Sequence, residues 1–322
     1  MAAERRPGMS GDALVMVGSS NPTIGRALLE RLRQPPVDVL TERFPDGELH
    51  VHARAPLRGR DVYLLQALSA PVGEHLLELV LLGDAARRAG AARVCAMIPY
   101  FGYGRHDRRA HEGEPLGAKV VAHMLDGADF ARILVVDLHA PAVEGCFAAP
   151  VEHLTAVPLL ADALRPHAAQ EAVVVSPDLG GVKLAERYAS ALGLPLAMVH
   201  KTRTSPTEVA ARGVVGRVRG RLPILVDDMI STAGTLHAAV QALRAEGCTA
   251  RPVVAASHAL LVGDAVERLR SLDLARILVT DSVEVRRDLP LPLEVVSLAP
   301  LLARAVVQLH QAGSTEDLLS HR

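Results

Sequence analysis

Aromatic side chains are almost missing from this chain: its 322 residues hold no tryptophan, four tyrosines and four phenylalanines. A single-stranded nucleic-acid binder stacks bases on rings, and that supply is lacking here. Leucine, valine and alanine must fill the core instead. Cysteine is nearly as scarce, with Cys95, Cys146 and Cys248 far apart and no C-x-x-C pair. That spacing disfavours a zinc site or a disulfide scaffold and suits a reducing cytoplasm. Neither sign of charge dominates, since 35 Lys and Arg face 36 Asp and Glu for a net −1. No global field draws in a polyanion, so a phosphate-bearing ligand must be held by local groups. Long apolar runs are absent as well. The longest weakly polar stretch, Pro252 to Gly263, carries His258 and falls short of the roughly 18 residues of a membrane span. Arg5 and Arg6 are followed by Pro7, Gly8 and Asp12, which leaves no signal-peptide core. The expectation is a soluble cytoplasmic protein with no nucleic-acid or membrane partner.

What is present is ample apolar material, 49% of the residues against 22% charged, in a chain longer than one core usually supports. Short aliphatic runs alternate with helical patterns. Ala13–Gly18, Asp61–Gln66, Arg93–Pro99 and Ile133–Leu138 read as strands, with helices over Pro22–Arg33, Pro71–Ala89 and Leu116–Asp126. The rhythm restarts after Pro150, where Thr155 or a neighbour caps a helix over Val157–Leu164. Strands at Ala172–Ser176, Ile224–Val226, Val253–Ser257 and Ile277–Thr280 follow, with helices at Gly180–Leu192 and Thr232–Glu246. Near-continuous apolar strands between helices mean parallel sheets covered on both faces. The fold class is α/β, two doubly wound domains with mainly parallel sheets, over residues 1–154 and 155–299. The final helical segment, 300–322, packs back on the first domain.

Ligand-type residues gather at the ends of these strands, where open α/β sheets bind ligands. The run from Ile224 to Thr235 is a buried strand, the pair Asp227 and Asp228, and then a small-residue loop opening a helix. Backbone N–H groups of Ser231, Thr232, Ala233, Gly234 and Thr235 can cradle a phosphate, while the carboxylates suit ribose hydroxyls or Mg²⁺. Ser/Thr capping beside a solvated acidic pair is the plainer alternative. The loop from Pro99 to Arg109 carries Arg105, His106, Asp107, Arg108 and Arg109, and arginine forks grip phosphate oxygens; a solvated charged face would look the same. In the turn from Arg43 to Glu48, Phe44 could stack an adenine and Asp46 and Glu48 accept from its amino group, or the turn is an ordinary one. Asp137 and His139 end one strand, Asp178 ends another before Gly180 and Gly181, and Lys201 and Arg203 lie on a polar stretch suited to a lid.

Taken together the runs RFPDGE (43–48), PYFGYGRHDRR (99–109), VVDLHA (135–140), VVSPDLGG (174–181) and LVDDMISTAGT (225–235) resemble the ribose-phosphate pyrophosphokinase family, in its motif order and from Gly18 to about Leu302. The resemblance implies two phosphoribosyltransferase-like domains and transfer of the β,γ-diphosphoryl group of ATP to the 1-hydroxyl of ribose 5-phosphate. It implies that Asp178, Asp227, Asp228 and the Ser231–Thr235 loop hold ribose 5-phosphate. Phe44, Asp46 and Glu48 would hold adenine across a subunit boundary, and Arg105, His106, Asp107 and Arg108 the rest of ATP. His139 and Asp178 match its Mg²⁺-associated positions; Lys201, Arg203 and His139 match its catalytic ones. A homo-oligomer built from dimers, up to a hexamer, is implied as well. The chain departs from the family's common DDMIDTGGT at Ser231 and Ala233, and from its common Lys-Arg-Arg at Thr202. The loop from Ala110 to Pro115 is acidic where well-studied members are more basic, which bears on phosphate activation and ADP inhibition. A non-catalytic regulatory relative and a phosphoribosyltransferase are the other readings. The presence of every ligand residue disfavours the first; the adenine and arginine loops have no task in the second.

Overall fold

The computed structural model describes residues 13–168, 171–203 and 209–320; the side chains of 201–203 and 209–212 lie outside that description. The chain divides into two units. One runs up to Thr155 and adds Ser282–Glu284 and everything from Ser297; the other comprises Ala156–Asp281 and Val285–Val296.

In the first unit the order is β1 (Ala13–Val17), α1 (Pro22–Leu32), β2 (Val39–Arg43), β3 (Leu49–Ala53), β4 (Asp61–Leu65), α2 (Val72–Arg88), β5 (Arg93–Ile98), α3 (Gly117–Asp126), β6 (Arg132–Val136) and β7 (Val151–Leu154). Five strands form one parallel sheet in the order β1-β4-β5-β6-β7, and β2 and β3 make a separate antiparallel hairpin. The apolar runs of β5 and β6 are buried along almost their whole length, as parallel strands covered on both sides must be. Met16, Leu64, Ala96, Ile98, Ile133 and Val135 pack with Leu76, Leu79 and Leu82 of α2 in one core. Helix α1 starts sharply because the Asn21 side chain accepts from the Ile24 N–H at 3.1 Å and Pro22 fills the first turn.

The second unit contains α4 (Val157–Leu164), β8 (Ala172–Ser176), α5 (Val182–Leu192), β9 (Leu196–Arg203), β10 (Val209–Val215), β11 (Leu222–Ile230), α6 (Gly234–Ala245), β12 (Val253–Ala259), α7 (Ala265–Ser271), β13 (Arg276–Thr280) and β14 (Leu293–Val296). Its seven strands lie in the order β10-β9-β8-β11-β12-β13-β14. All neighbours are parallel except β9 and β10, which pair antiparallel with a register shift between Ala211 and Gly213. From β8 the chain winds toward β9, and from β11 toward β12. The reversal of winding therefore falls between β8 and β11, and the crevice there is where such sheets take ligands. The last helix, α8 (Ala299–His310), belongs to the first unit, packs against α1 and buries Leu302, Ala305 and Val306.

Several local expectations change. Helix α4 has Ala156 at its cap and no side-chain cap; the Thr155 N–H instead bonds the Leu318 carbonyl at 3.0 Å. Helices α5 and α6 begin two residues later than their patterns suggest, at Val182 and Gly234, because the residues before them are bent into ligand-type turns. Strands β7, β10 and β14 and the seven-residue α7 are too short or too irregular to show a period.

Candidate active site

In the first unit the turn after β2 is closed by Phe44 N–H to Glu48 O and Gly47 N–H to Phe44 O, both at 2.9 Å. Gly47 takes a φ of +95°, which a side chain would resist, and the Asp46 carboxylate accepts from the Glu48 N–H at 3.1 Å. Phe44 is stacked on His50 at 5.1 Å and remains 44% exposed, so a flat aromatic surface faces outward at this turn. Arg43 pairs with Glu74 at the start of α2 and donates to the Gly47 carbonyl.

The arginine loop is anchored by rings. Tyr100 and Phe101 are buried, and Phe101 meets Phe147 edge-on at 5.4 Å. Tyr103 sits at a φ of +66° and its carbonyl accepts from the His106 N–H at 2.9 Å. Arg105, His106, Arg108 and Arg109 are exposed, while the Asp107 carboxylate is nearly covered and binds the Arg108 guanidinium at 2.8 Å. Arg108, with His139 adding to it, holds the Asp107 carboxyl below the usual carboxylate range against the opposing pull of burial. The loops bearing Asp107 and His139 thus meet in this unit.

His139 lies in the turn after β6. Asp137 is buried there at a φ of +39°, outside the comfortable range of a side-chain-bearing residue. Two bonds from β7 hold the turn. The Asp137 N–H donates to the Leu154 carbonyl at 3.0 Å, and the Leu138 N–H donates to Nε2 of His153 at 2.8 Å. Neither His153 nor its partner Glu144, 2.5 Å from Nδ1, is suggested by the sequence pattern.

A second unforeseen network joins β1, β4 and α2. The Glu78 carboxylate, 2% exposed, accepts from Ser19 N–H at 3.0 Å, Ser19 Oγ at 2.5 Å and Gln66 Nε2 at 2.7 Å. Gln66 Oε1 accepts from the Ser20 N–H at 3.0 Å. A Cβ at Gly18 would stand 2.4 Å from that oxygen, so only glycine lets the strand end approach it.

In the second unit Asp178 closes its own turn, its Oδ1 accepting from Gly180 and Gly181 N–H at 3.0 and 3.2 Å. Asp227 and Asp228 sit within β11, which continues to Ile230 and stays paired with β12 after β8 has ended. They are half-buried. Loss of water and the facing Asp228, with Asp178 further off, push the Asp227 carboxyl well above its ordinary 3.8. Three carboxylates so placed call for a cation or for sugar hydroxyls. Among the described residues no group of three or more His, Cys, Asp and Glu is arranged to hold a metal unaided.

The loop from Ser231 to Thr235 has none of its hydroxyls on the helix cap. Ala233 occupies the cap position at a φ of +58°, and its side chain is buried in the unit's core. The Ser231 carbonyl accepts from Val262 N–H at 3.1 Å, and the Thr232 carbonyl from Arg268 on α7 at 3.0 Å. A trans peptide points its N–H opposite to its C=O, so the N–H groups of Thr232 and Ala233 face away from both donors. N–H groups so turned beside a helix start are of the kind that can receive an anion. Lys201 and Arg203 close β9; their side chains lie outside the described residues.

Comparison with known proteins agrees with this layout. The family model for the N-terminal domain of ribose phosphate pyrophosphokinase matches residues 13–128, and the phosphoribosyl transferase domain model matches residues 157–282. The chain is 39% identical to the ribose-phosphate pyrophosphokinase of Aquifex aeolicus over 307 residues, 95% of this chain and 98% of that protein. It is 36% identical to the enzyme of that name from Bacillus subtilis, over 94% and 95% of the two chains. The crystal structure of phosphoribosylpyrophosphate synthetase from Mycobacterium smegmatis superposes with a TM-score of 0.87 at 35% identity, covering 94% of this chain and 100% of that one. Similarity of this extent spans both units, and the chain belongs to the ribose-phosphate pyrophosphokinase family.

Proposed function

We propose that the chain transfers the β,γ-diphosphoryl group of ATP to the 1-hydroxyl of ribose 5-phosphate, yielding phosphoribosyl pyrophosphate and AMP. The observation that carries this is the match to enzymes of that name over nearly their whole length, with the nucleotide-type loops in one unit and the sugar-phosphate loop in the other. The exposed Phe44 surface, with Asp46 and Glu48, takes adenine; Arg105, His106, Asp107 and Arg108 take the polyphosphate. The Ser231–Thr235 cradle takes the 5-phosphate, and Asp227 and Asp228 accept from the ribose hydroxyls, which orients the 1-hydroxyl for attack on the β-phosphorus. His139 in the first unit and Asp178 in the second are the residues that would contact Mg²⁺, which would supply positive charge to the transferring group. Lys201 and Arg203 neutralise that charge further, and covering the group keeps water from competing with the sugar.

Three free thiols, Cys95 and Cys248 of them buried, fit a reducing cytoplasm. Among the described residues no helix is long and apolar enough to cross a membrane. An outward-facing Phe44 fits a homo-oligomer in which the turn serves a neighbouring subunit.

The test is ³¹P NMR of the protein with ATP, ribose 5-phosphate and Mg²⁺, with and without inorganic phosphate. AMP with a new diphosphoryl-sugar signal is the expected result. ATP binding without turnover in both tubes would instead establish a regulatory relative. Lys201→Ala should keep its fold and lose turnover about a hundredfold, the cost of one preorganised cation of roughly 3 kcal/mol.

A further inference from the structure

The turn that presents His139 does not hold its shape unaided. A left-handed backbone is disfavoured at a residue with a side chain, and Asp137 adopts one at a φ of +39°. Such strain persists only where the surroundings impose it. Here β7 imposes it twice, through the Leu154 carbonyl on the Asp137 N–H and through His153 Nε2 on the Leu138 N–H.

The second bond dictates the state of the ring. A backbone N–H can only donate, so Nε2 must present its lone pair and the ring proton must sit on Nδ1. Nδ1 lies 2.5 Å from Oε1 of Glu144, an acceptor that secures this tautomer. Glu144 belongs to the short 3₁₀ turn Pro141–Cys146 that directly follows the His139 turn. The chain leaving the turn therefore reaches back, through one carboxylate and one imidazole, to hold the turn's own backbone. His153 is 2% exposed, so its ring is fixed by packing as well as by its two bonds. The strand beneath it is tied down in turn: Ser320 N–H donates to the His153 carbonyl at 2.8 Å, and Thr315 Oγ1 donates to Glu152 at 2.6 Å.

We propose that His153, held in its Nδ1–H form by Glu144, is a positioning residue that sets the backbone of the Asp137–Ala140 turn and thereby the placement of His139. This rests on the reading of His139 as part of the active site.

Long-range ¹H–¹⁵N spectra of the intact chain test the tautomer directly, with Nε2 expected in the unprotonated range and Nδ1 in the protonated range. His153→Leu should lower kcat on the order of tenfold to a hundredfold, with the KM for ribose 5-phosphate within about twofold, and shift the His139 ring signals. His153→Gln, whose side-chain carbonyl can accept from the Leu138 N–H, should restore most of both. Glu144→Ala, at a partly exposed residue, should move the same two readouts in the same direction by less, and it decides the matter if the leucine variant does not fold. The reverse tautomer would overturn the proposal. So would leucine and glutamine variants impaired alike, or folded variants with wild-type kcat and His139 signals. If the wild type itself makes no phosphoribosyl pyrophosphate, the function proposed above fails, and the tautomer with the His139 signals still decides the role of His153.

Discussion

Replacing Glu78 by glutamine changes one atom and should cost this protein about 1.5–3 kcal/mol, the worth of a hydrogen bond to a charged group. The reasoning is a count of donors. Oε1 of Glu78 receives the Ser19 N–H and, at 3.5 Å, the Thr41 hydroxyl, which can rotate to accept instead; Oε2 receives both the Ser19 hydroxyl and the Gln66 amide. An amide nitrogen at the first position meets the Ser19 N–H, donor against donor. At the second position the Ser19 hydroxyl can rotate to accept, but the Gln66 amide still faces a donor. Gln66 cannot flip in response, because its oxygen is already held by the Ser20 N–H at 3.0 Å. Burial at 2% exposure keeps water from repairing the loss. Glu78→Leu removes the acceptor of all four donors and should cost more, on the order of 3–6 kcal/mol. Without tryptophan the unfolding is followed by far-UV circular dichroism in urea, and amide exchange at Ser19 and Ser20 should quicken in both variants. A Glu78→Gln protein within about 0.5 kcal/mol of the wild type, the scatter of surface substitutions, with unchanged exchange at Ser19, would refute the count.

Three further outcomes are expected. Arg268→Ala releases the Thr232 carbonyl, and one such bond is worth enough to raise the KM for ribose 5-phosphate about tenfold; an equal rise in the KM for ATP would point to general damage instead. Because the Asp227 carboxyl is pushed above its ordinary 3.8, the folded chain binds a proton there that the unfolded chain has already lost. Stability without ligands should therefore fall as pH rises from that ordinary value through the raised one, and Asp227→Asn should flatten that part of the profile; a variant with the wild-type slope in urea titrations would exclude it. Burial pushes the Cys95 thiol up to about 11 and raises that of Cys248 as well, so a disulfide reagent at neutral pH should titrate Cys146 alone until the protein is unfolded. Rapid reaction of a second thiol in the native state would contradict this.

The amino-acid sequence by itself determined the α/β class, the strand ends at which ligand-type residues gather, and the family, because these reside in contiguous runs. An aliphatic stretch such as Arg93–Ile98 can be satisfied only by burial on both faces, and a loop such as Ser231–Thr235 carries its small residues in order. Where the β11 carboxylates stand was less legible: the aliphatic run stops at Val226, yet β11 continues to Ile230 because β12 still offers it partners. The cap position of α4 falls to Ala156, the neighbour of Thr155, while the Thr155 N–H bonds the Leu318 carbonyl, far along the chain. What only the tertiary structure decided are the supports of the site. Ser19 and Glu78 are 59 residues apart, Thr232 and Arg268 36, and Leu138 and His153 15. Each of the three supporting side chains is one polar residue in an otherwise ordinary helix or strand, with no local period to mark it. A hydrogen bond has no signature in either partner alone; it exists once folding removes water and leaves one donor and one acceptor facing each other.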